Sequence, residues 1–166
     1  MDAFLSHYYP PMVTMGFLAL YFIGTLLTES YPEVIAVVFL AVYLPAKIPS
    51  KALFFLRALV ALLIAVALAH VNRWFHLWPS HLLFPSGHMT FCFGVSISLG
   101  MLRPWTFAIT LPLLIPFGIG LVEMHFHTVM DVLGAFPLVG IVYGIIHGIW
   151  RLTPEPPPLD MAPDSP

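Results

Sequence analysis

Phe84-Pro85-Ser86-Gly87-His88 and, thirty-nine residues beyond that histidine, His127-Thr128-Val129-Met130-Asp131 each open an apolar stretch long enough to cross a bilayer. The two blocks put two imidazoles at one membrane surface, with a carboxylate one helical turn behind the second. These are the groups needed to move a phosphate through a histidine.

Working outward, the whole chain agrees with a membrane setting. Of its 166 residues 60% are hydrophobic and 8% charged, with a mean hydropathy of +0.94, whereas a soluble domain carries about 25% charged residues. That length suits one domain, here residues 1–151, because the apolar content is spread along the chain and not collected in one anchor. The net charge of -2 offers no basic face for nucleic acid, and the single cysteine, Cys92, has no internal disulfide partner.

Measured against the roughly 20 residues an apolar helix needs, six spans are expected. They run from Pro11 to Leu27, Pro32 to Ala46, Ala52 to His70, Ser86 to Leu102, Trp105 to Val122 and Thr128 to Trp150. The expected fold is therefore all-α and integral to the membrane, a six-transmembrane-helix bundle. The second span is the shortest, confined by Pro32 and Pro45. The first has Asp2 and no cation ahead of it, unlike a cleaved signal peptide, so it is expected to stay in the mature protein.

Six spans put both termini on one face with Lys47, Lys51, Arg103 and Arg151, and leave only Arg73 on the other. By the positive-inside rule the terminus-bearing face is cytoplasmic. His70, His76, His81, His88, His125 and His127 fall on or beside the opposite face, so any chemistry is extracytoplasmic, at the plasma or inner membrane if the source is bacterial. The last span carries Gly140, Gly144 and Gly148 at every fourth position, a ladder that suits close helix packing within the bundle or, as the minor alternative, a homodimer contact. Residues 152–166 are proline-rich and are expected to form a disordered cytoplasmic tail.

At the first block, Ser86 suits an N-cap, Gly87 clears space for a ligand, and His88 projects from a helix end whose unpaired N–H groups and dipole attract anions. At the second, His127 and Asp131 are four apart and share a helical face. A hydrogen bond to Asp131 would fix the His127 tautomer and leave the other ring nitrogen free to attack phosphorus. A carboxylate inside a span costs about 2.5 to 3.5 kcal/mol at the bilayer centre, so Asp131 needs a partner.

The P-S-G-H block, Pro85 to His88, and the H-x3-D block, His127 to Asp131, resemble those of the type 2 phosphatidic acid phosphatase superfamily, six-span membrane lipid-phosphate phosphatases and phosphotransferases. The resemblance implies a metal-independent enzyme without cofactor, with His127 as nucleophile, Asp131 as its orienting carboxylate and His88 as general acid. It also implies that Ser86 and Gly87 bind phosphate oxygens of an amphiphilic lipid-phosphate substrate. The family's K-x6-R-P block is absent, since Lys51 and Arg57 are one residue too close and lie toward the wrong face. The usual Ser-Arg pair before H-x3-D is replaced by Gly120 and Leu121. Losing a preorganised donor costs roughly 100- to 1000-fold in rate, so substitutes are required. Arg73 is the first expected substitute and His125 the second. His125-Phe126-His127 also resembles the sphingomyelin-synthase-like branch, which transfers a phospho-headgroup to a lipid hydroxyl instead of to water.

Blander assignments stand beside these. His70, His76 and His81 suit an interfacial role, and Trp74, Phe75 and Trp78 an interfacial aromatic belt. Glu123 either ends the fifth span or hydrogen-bonds His125 or His127. Arg57 snorkels, and Cys92 and His147 pack. Two other functions compete: a histidine-rich metal-binding or transport protein, and a non-catalytic lipid-binding relative. No His-x3-His or His-Glu-x-x-His spacing supports the metal site.

Overall fold

The computed structural model describes residues 30–48, 50–77 and 83–152. Those residues form five helices: α1 (Ser30–Tyr43), α2 (Lys51–Phe75), α3 (Gly87–Leu102), α4 (Pro104–Glu123) and α5 (Val129–Leu152). The expected six-span bundle is corrected by this count, because only three helices, α2, α4 and α5, are long and apolar enough to cross a membrane. The expected span from Pro11 to Leu27, the tail beyond residue 152, Trp78, His81 and His7 lie outside the described residues.

Local chemistry explains the two short helices. The chain leaves α1 at Leu44-Pro45, where the residue before a proline is pushed out of the helical region. The described part of α1, which starts where the described residues begin, rises roughly 21 Å at about 1.5 Å per residue, under the roughly 30 Å hydrocarbon core. Helix α3 has 16 residues, held between the Ser86 cap and Arg103-Pro104, and also falls short of a full crossing. By contrast α2 is 25 residues long, continues past the expected end at His70 to Phe75, and closes at His76, whose left-handed backbone lets its N–H donate to the Asn72 carbonyl. Pro104 opens α4 at a position that needs no N–H, and Pro112 and Pro116 inside it are tolerated as in other apolar helices.

Packing follows the logic of lipid and not of water. Small and hydroxyl side chains are buried, among them Ala61, Ala65, Ala69, Thr90, Ser96 and Ser98. Large aliphatics such as Leu63, Ile115, Ile141 and Ile149 are exposed. Where the surroundings are as apolar as leucine, helices associate through small residues and hydrogen bonds, as in the Ser98–Tyr143 hydroxyl pair at 3.0 Å. Helix α3 packs against α2, α4 and α5. Helix α1 joins through Tyr31, whose hydroxyl donates to the Thr110 carbonyl at 3.3 Å and whose ring lies 4.9 Å from that of Phe117.

The glycine ladder does not serve this packing. A Cβ added to Gly140, Gly144 or Gly148 would meet nothing within 4 Å, so the ladder faces outward among the described residues. Within α5 it is Gly134 that is closely covered, by the Phe84 ring of the segment before α3, while Gly94 and Gly118 meet side chains of neighbouring helices.

Successive helices run up and down, which sorts the charges. Pro32 of α1, His70 and Arg73 of α2, the start of α3 and the loop before α5 line one cavity at one end. Lys51, Arg57 and Arg151 belong to the other end, where the Arg57 guanidinium lies 5.0 Å from the Trp150 ring centroid.

Candidate functional site

The site grows from two helix caps. Ser86 Oγ accepts from the Met89 N–H at 3.3 Å, and Thr90 Oγ1 donates to the Ser86 carbonyl at 2.8 Å, which fixes the first turn of α3 as the sequence implies. Gly87 and His88 line the cavity at the start of α3, where the first N–H groups of a helix have no intrahelical partner. Ser86 N–H in turn donates to the Asp131 carbonyl at 2.8 Å, so the two sequence blocks are joined backbone to backbone.

The second cap was not anticipated. Thr128 Oγ1 accepts from the Asp131 N–H at 3.2 Å, while Asp131 Oδ2 accepts from the Thr128 N–H at 2.7 Å, a reciprocal capping box. The Thr-x-x-Asp spacing is its sequence signal. Asp131 thus has a structural partner besides His127, and the expected His127–Asp131 hydrogen bond is corrected to an approach of 3.9 Å between Nδ1 and Oδ2. Both side chains are nearly buried, at 7% and 4% exposure, and His127 Nδ1 and Asp131 Oδ1 have no hydrogen-bond partner among the described residues. Each such buried group left unmet costs about 1 to 3 kcal/mol.

The loop from α4 wraps tightly, with the Phe126 and His127 N–H groups both donating to the Leu121 carbonyl at 3.1 Å. His125 adopts a left-handed backbone, φ 59°, and is exposed; it does not line the histidine cavity, whereas Phe126 and His127 do. The His88 and His127 rings meet edge to face with centroids 5.8 Å apart. Their cavity has a volume of about 410 Å³ and is also lined by Arg73, Gly87, Phe91 and His70. Burial, the neighbouring His88 and, in the opposite sense, the Asp131 carboxylate act on His127, and the balance holds its pKa below the ordinary 6.5.

His70 is the member that sequence reasoning assigned to the interface. Its Nδ1 donates to the Val66 carbonyl at 2.8 Å, which leaves Nε2 free. Its ring covers Gly87, where an added Cβ would stand 3.0 Å from Cε1 and 3.6 Å from Nε2. The signal was the His-x2-Arg spacing with Arg73, which sets both on one helical face.

Glu123 belongs elsewhere, lining an apolar cleft of about 630 Å³ between α4 and α5 with Met89, Val129 and Val132. A third cavity, about 200 Å³ and almost wholly apolar, lies between α1, α2 and α3 and shares Phe91 with the histidine cavity. Trp74, Phe75 and His76 are exposed beyond the end of the site. Cys92 is buried, and His147 Nε2 lies 2.9 Å from Met101 Sδ. Among the described residues no three His, Cys, Asp or Glu side chains are grouped to hold a metal ion. No protein-family model matches the chain, and neither a curated protein nor a solved structure does.

Proposed function

We propose that this protein is a membrane lipid-phosphate phosphatase or phosphotransferase working through a phosphohistidine on His127. The observation that carries the reading is the 5.8 Å approach of the His88 and His127 rings over a cavity that also holds the α3 N-terminus and Arg73. In the first step His127 Nε2 forms a bond to phosphorus while the phosphorus–oxygen bond of the ester breaks and His88 protonates the departing alkoxide. In the second, water or a lipid hydroxyl attacks phosphorus, the phosphorus–nitrogen bond breaks, and His88 takes the proton back. Asp131 rotates onto His127 Nδ1 to hold the tautomer and offset the positive charge that develops.

An amphiphilic substrate is supported by the apolar cavity lined by Ala36, Phe39, Phe55 and Leu59 between α1, α2 and α3, which shares Phe91 with the histidine cavity. The α4–α5 cleft is the poorer route, since it shares no lining residue with the histidine cavity and carries the Glu123 carboxylate. The excess of cations at the end away from the histidines favours an extracytoplasmic site and a cytoplasmic C-terminus.

The second reading is a lipid-phosphate-binding protein without turnover. It is favoured by the engagement of Asp131 Oδ2 with Thr128. Assay of the detergent-solubilised full chain on a soluble phosphomonoester separates the two. The enzyme reading expects turnover that orthovanadate blocks, that chelation spares and that His127→Ala removes. No turnover with retained phosphate binding selects the second reading, and turnover abolished by chelation defeats both.

A further inference from the structure

We infer that His70 is a phosphate-binding residue, its Nε2 meeting the anion from the α2 side while the first turn of α3 meets it from the other. The inference rests on the phosphate reading of the cavity and names the group that supplies what the absent Lys/Arg block would have given.

Three observations converge on it. The Val66 carbonyl can only accept, so the 2.8 Å contact makes His70 Nδ1 the donor and turns Nε2 into the ring's working atom. That atom lies 3.6 Å from where a Gly87 side chain would begin, so it stands directly over the helix end whose N–H groups attract an anion. Arg73, one turn further along α2, lines the same cavity. By contrast Lys51 and Arg57 are far down the same helix: thirteen residues separate Arg57 from His70, about 20 Å of rise.

Glycine at position 87 therefore does two things. It opens the helix end to the ligand, and it admits the His70 ring, which any larger side chain would displace. When protonated, the ring donates from Nε2 to a phosphate oxygen; when neutral, it accepts from a protonated phosphate oxygen. In the protonated state that hydrogen bond joins two charged groups and is worth about 10- to 100-fold in affinity.

The test is orthophosphate binding to the solubilised full chain, followed by calorimetry for the wild type, His70→Ala, His70→Gln and His127→Ala, with thermal unfolding to confirm folding. His70→Ala is expected to bind about 10- to 100-fold more weakly, His70→Gln to keep part of the affinity through its amide donor, and millimolar imidazole to restore binding to the alanine variant. Imidazole rescue is a result that a purely structural role would not give. Equal binding by the wild type and His70→Ala overturns the inference and leaves the phosphate reading intact. Absence of phosphate binding in both the wild type and His127→Ala overturns the phosphate reading, and this inference with it.

Discussion

The Ser86 N–H donates to the Asp131 carbonyl at 2.8 Å, so the cap of α3 and the first turn of α5 are one hydrogen-bonded unit. The His88–His127 separation is thereby set by backbone, and not by the loop that carries His127. A site built on helix ends keeps its geometry better than one built on a loop.

Because Asp131 both caps α5 and approaches His127, two substitutions divide its roles. Thr128→Ala removes only the hydroxyl side of the capping box, and is expected to cost about 1 kcal/mol of stability with most of the turnover retained. Asp131→Asn is expected to lower turnover by about 100-fold or more. Thermal unfolding and steady-state kinetics on both variants check this; equal losses of activity would assign Asp131 to capping alone.

The pH dependence has a definite sign. Burial and His88 lower the pKa of His127 and Asp131 raises it, with a net value below 6.5. The neutral form therefore persists as pH falls from neutrality through 6.5. The unfolded chain binds the proton first, so this group's contribution to stability is present above about 6.5 and is lost on acidification below it. NMR titration of His127 should give a midpoint below 6.5, moving up in His88→Ala and further down in Asp131→Asn; a midpoint above 6.5 would refute the assignment.

Substrate chain length should matter through the apolar cavity that shares Phe91 with the histidine cavity. Alkyl phosphates of increasing length are expected to show falling KM with the wild type, and Ala58→Phe or Ala36→Phe, which narrow that cavity, to lose the gain without raising KM for the shortest ester. Ile115→Trp, in the α4–α5 cleft, is the control and should leave the series unchanged. Chain-length dependence abolished by the control instead would move the tail to the other cleft.

Two glycines in α5 should respond oppositely to a methyl group. Gly134→Ala drives a Cβ into the Phe84 ring beside Pro85 to His88 and is expected to cost about 1 to 3 kcal/mol. Gly144→Ala meets nothing and should be neutral or stabilising by up to about 1 kcal/mol. Unfolding of the solubilised variants reads this out.

Much of the site was legible in the sequence because its signals are local. Ser86 as a cap, His88 on a first turn and His127 before the last helix need only nearest-neighbour chemistry. Asp131 was legible as a carboxylate needing a partner, but the capping box with Thr128 competes for it at the same spacing. His70 was hidden, because whether an interfacial histidine faces lipid headgroups or a cavity is decided by how α2 rotates against α3. The span count failed for a related reason: an apolar stretch with well-read ends can still be too short, as α3 is with 16 residues against the roughly 20 that a crossing needs. The outward glycine ladder likewise shows that small residues reveal where helices can approach, and not which neighbour does.

The decisive measurement is mass spectrometry of the full chain after brief reaction of His88→Ala with p-nitrophenyl phosphate, whose leaving group needs no acid. One acid-labile phosphoryl group on His127, absent from a His88→Ala/His127→Ala double variant, is the expected result. A phosphoryl group on any other residue, or turnover that survives His127→Ala, would contradict the mechanism.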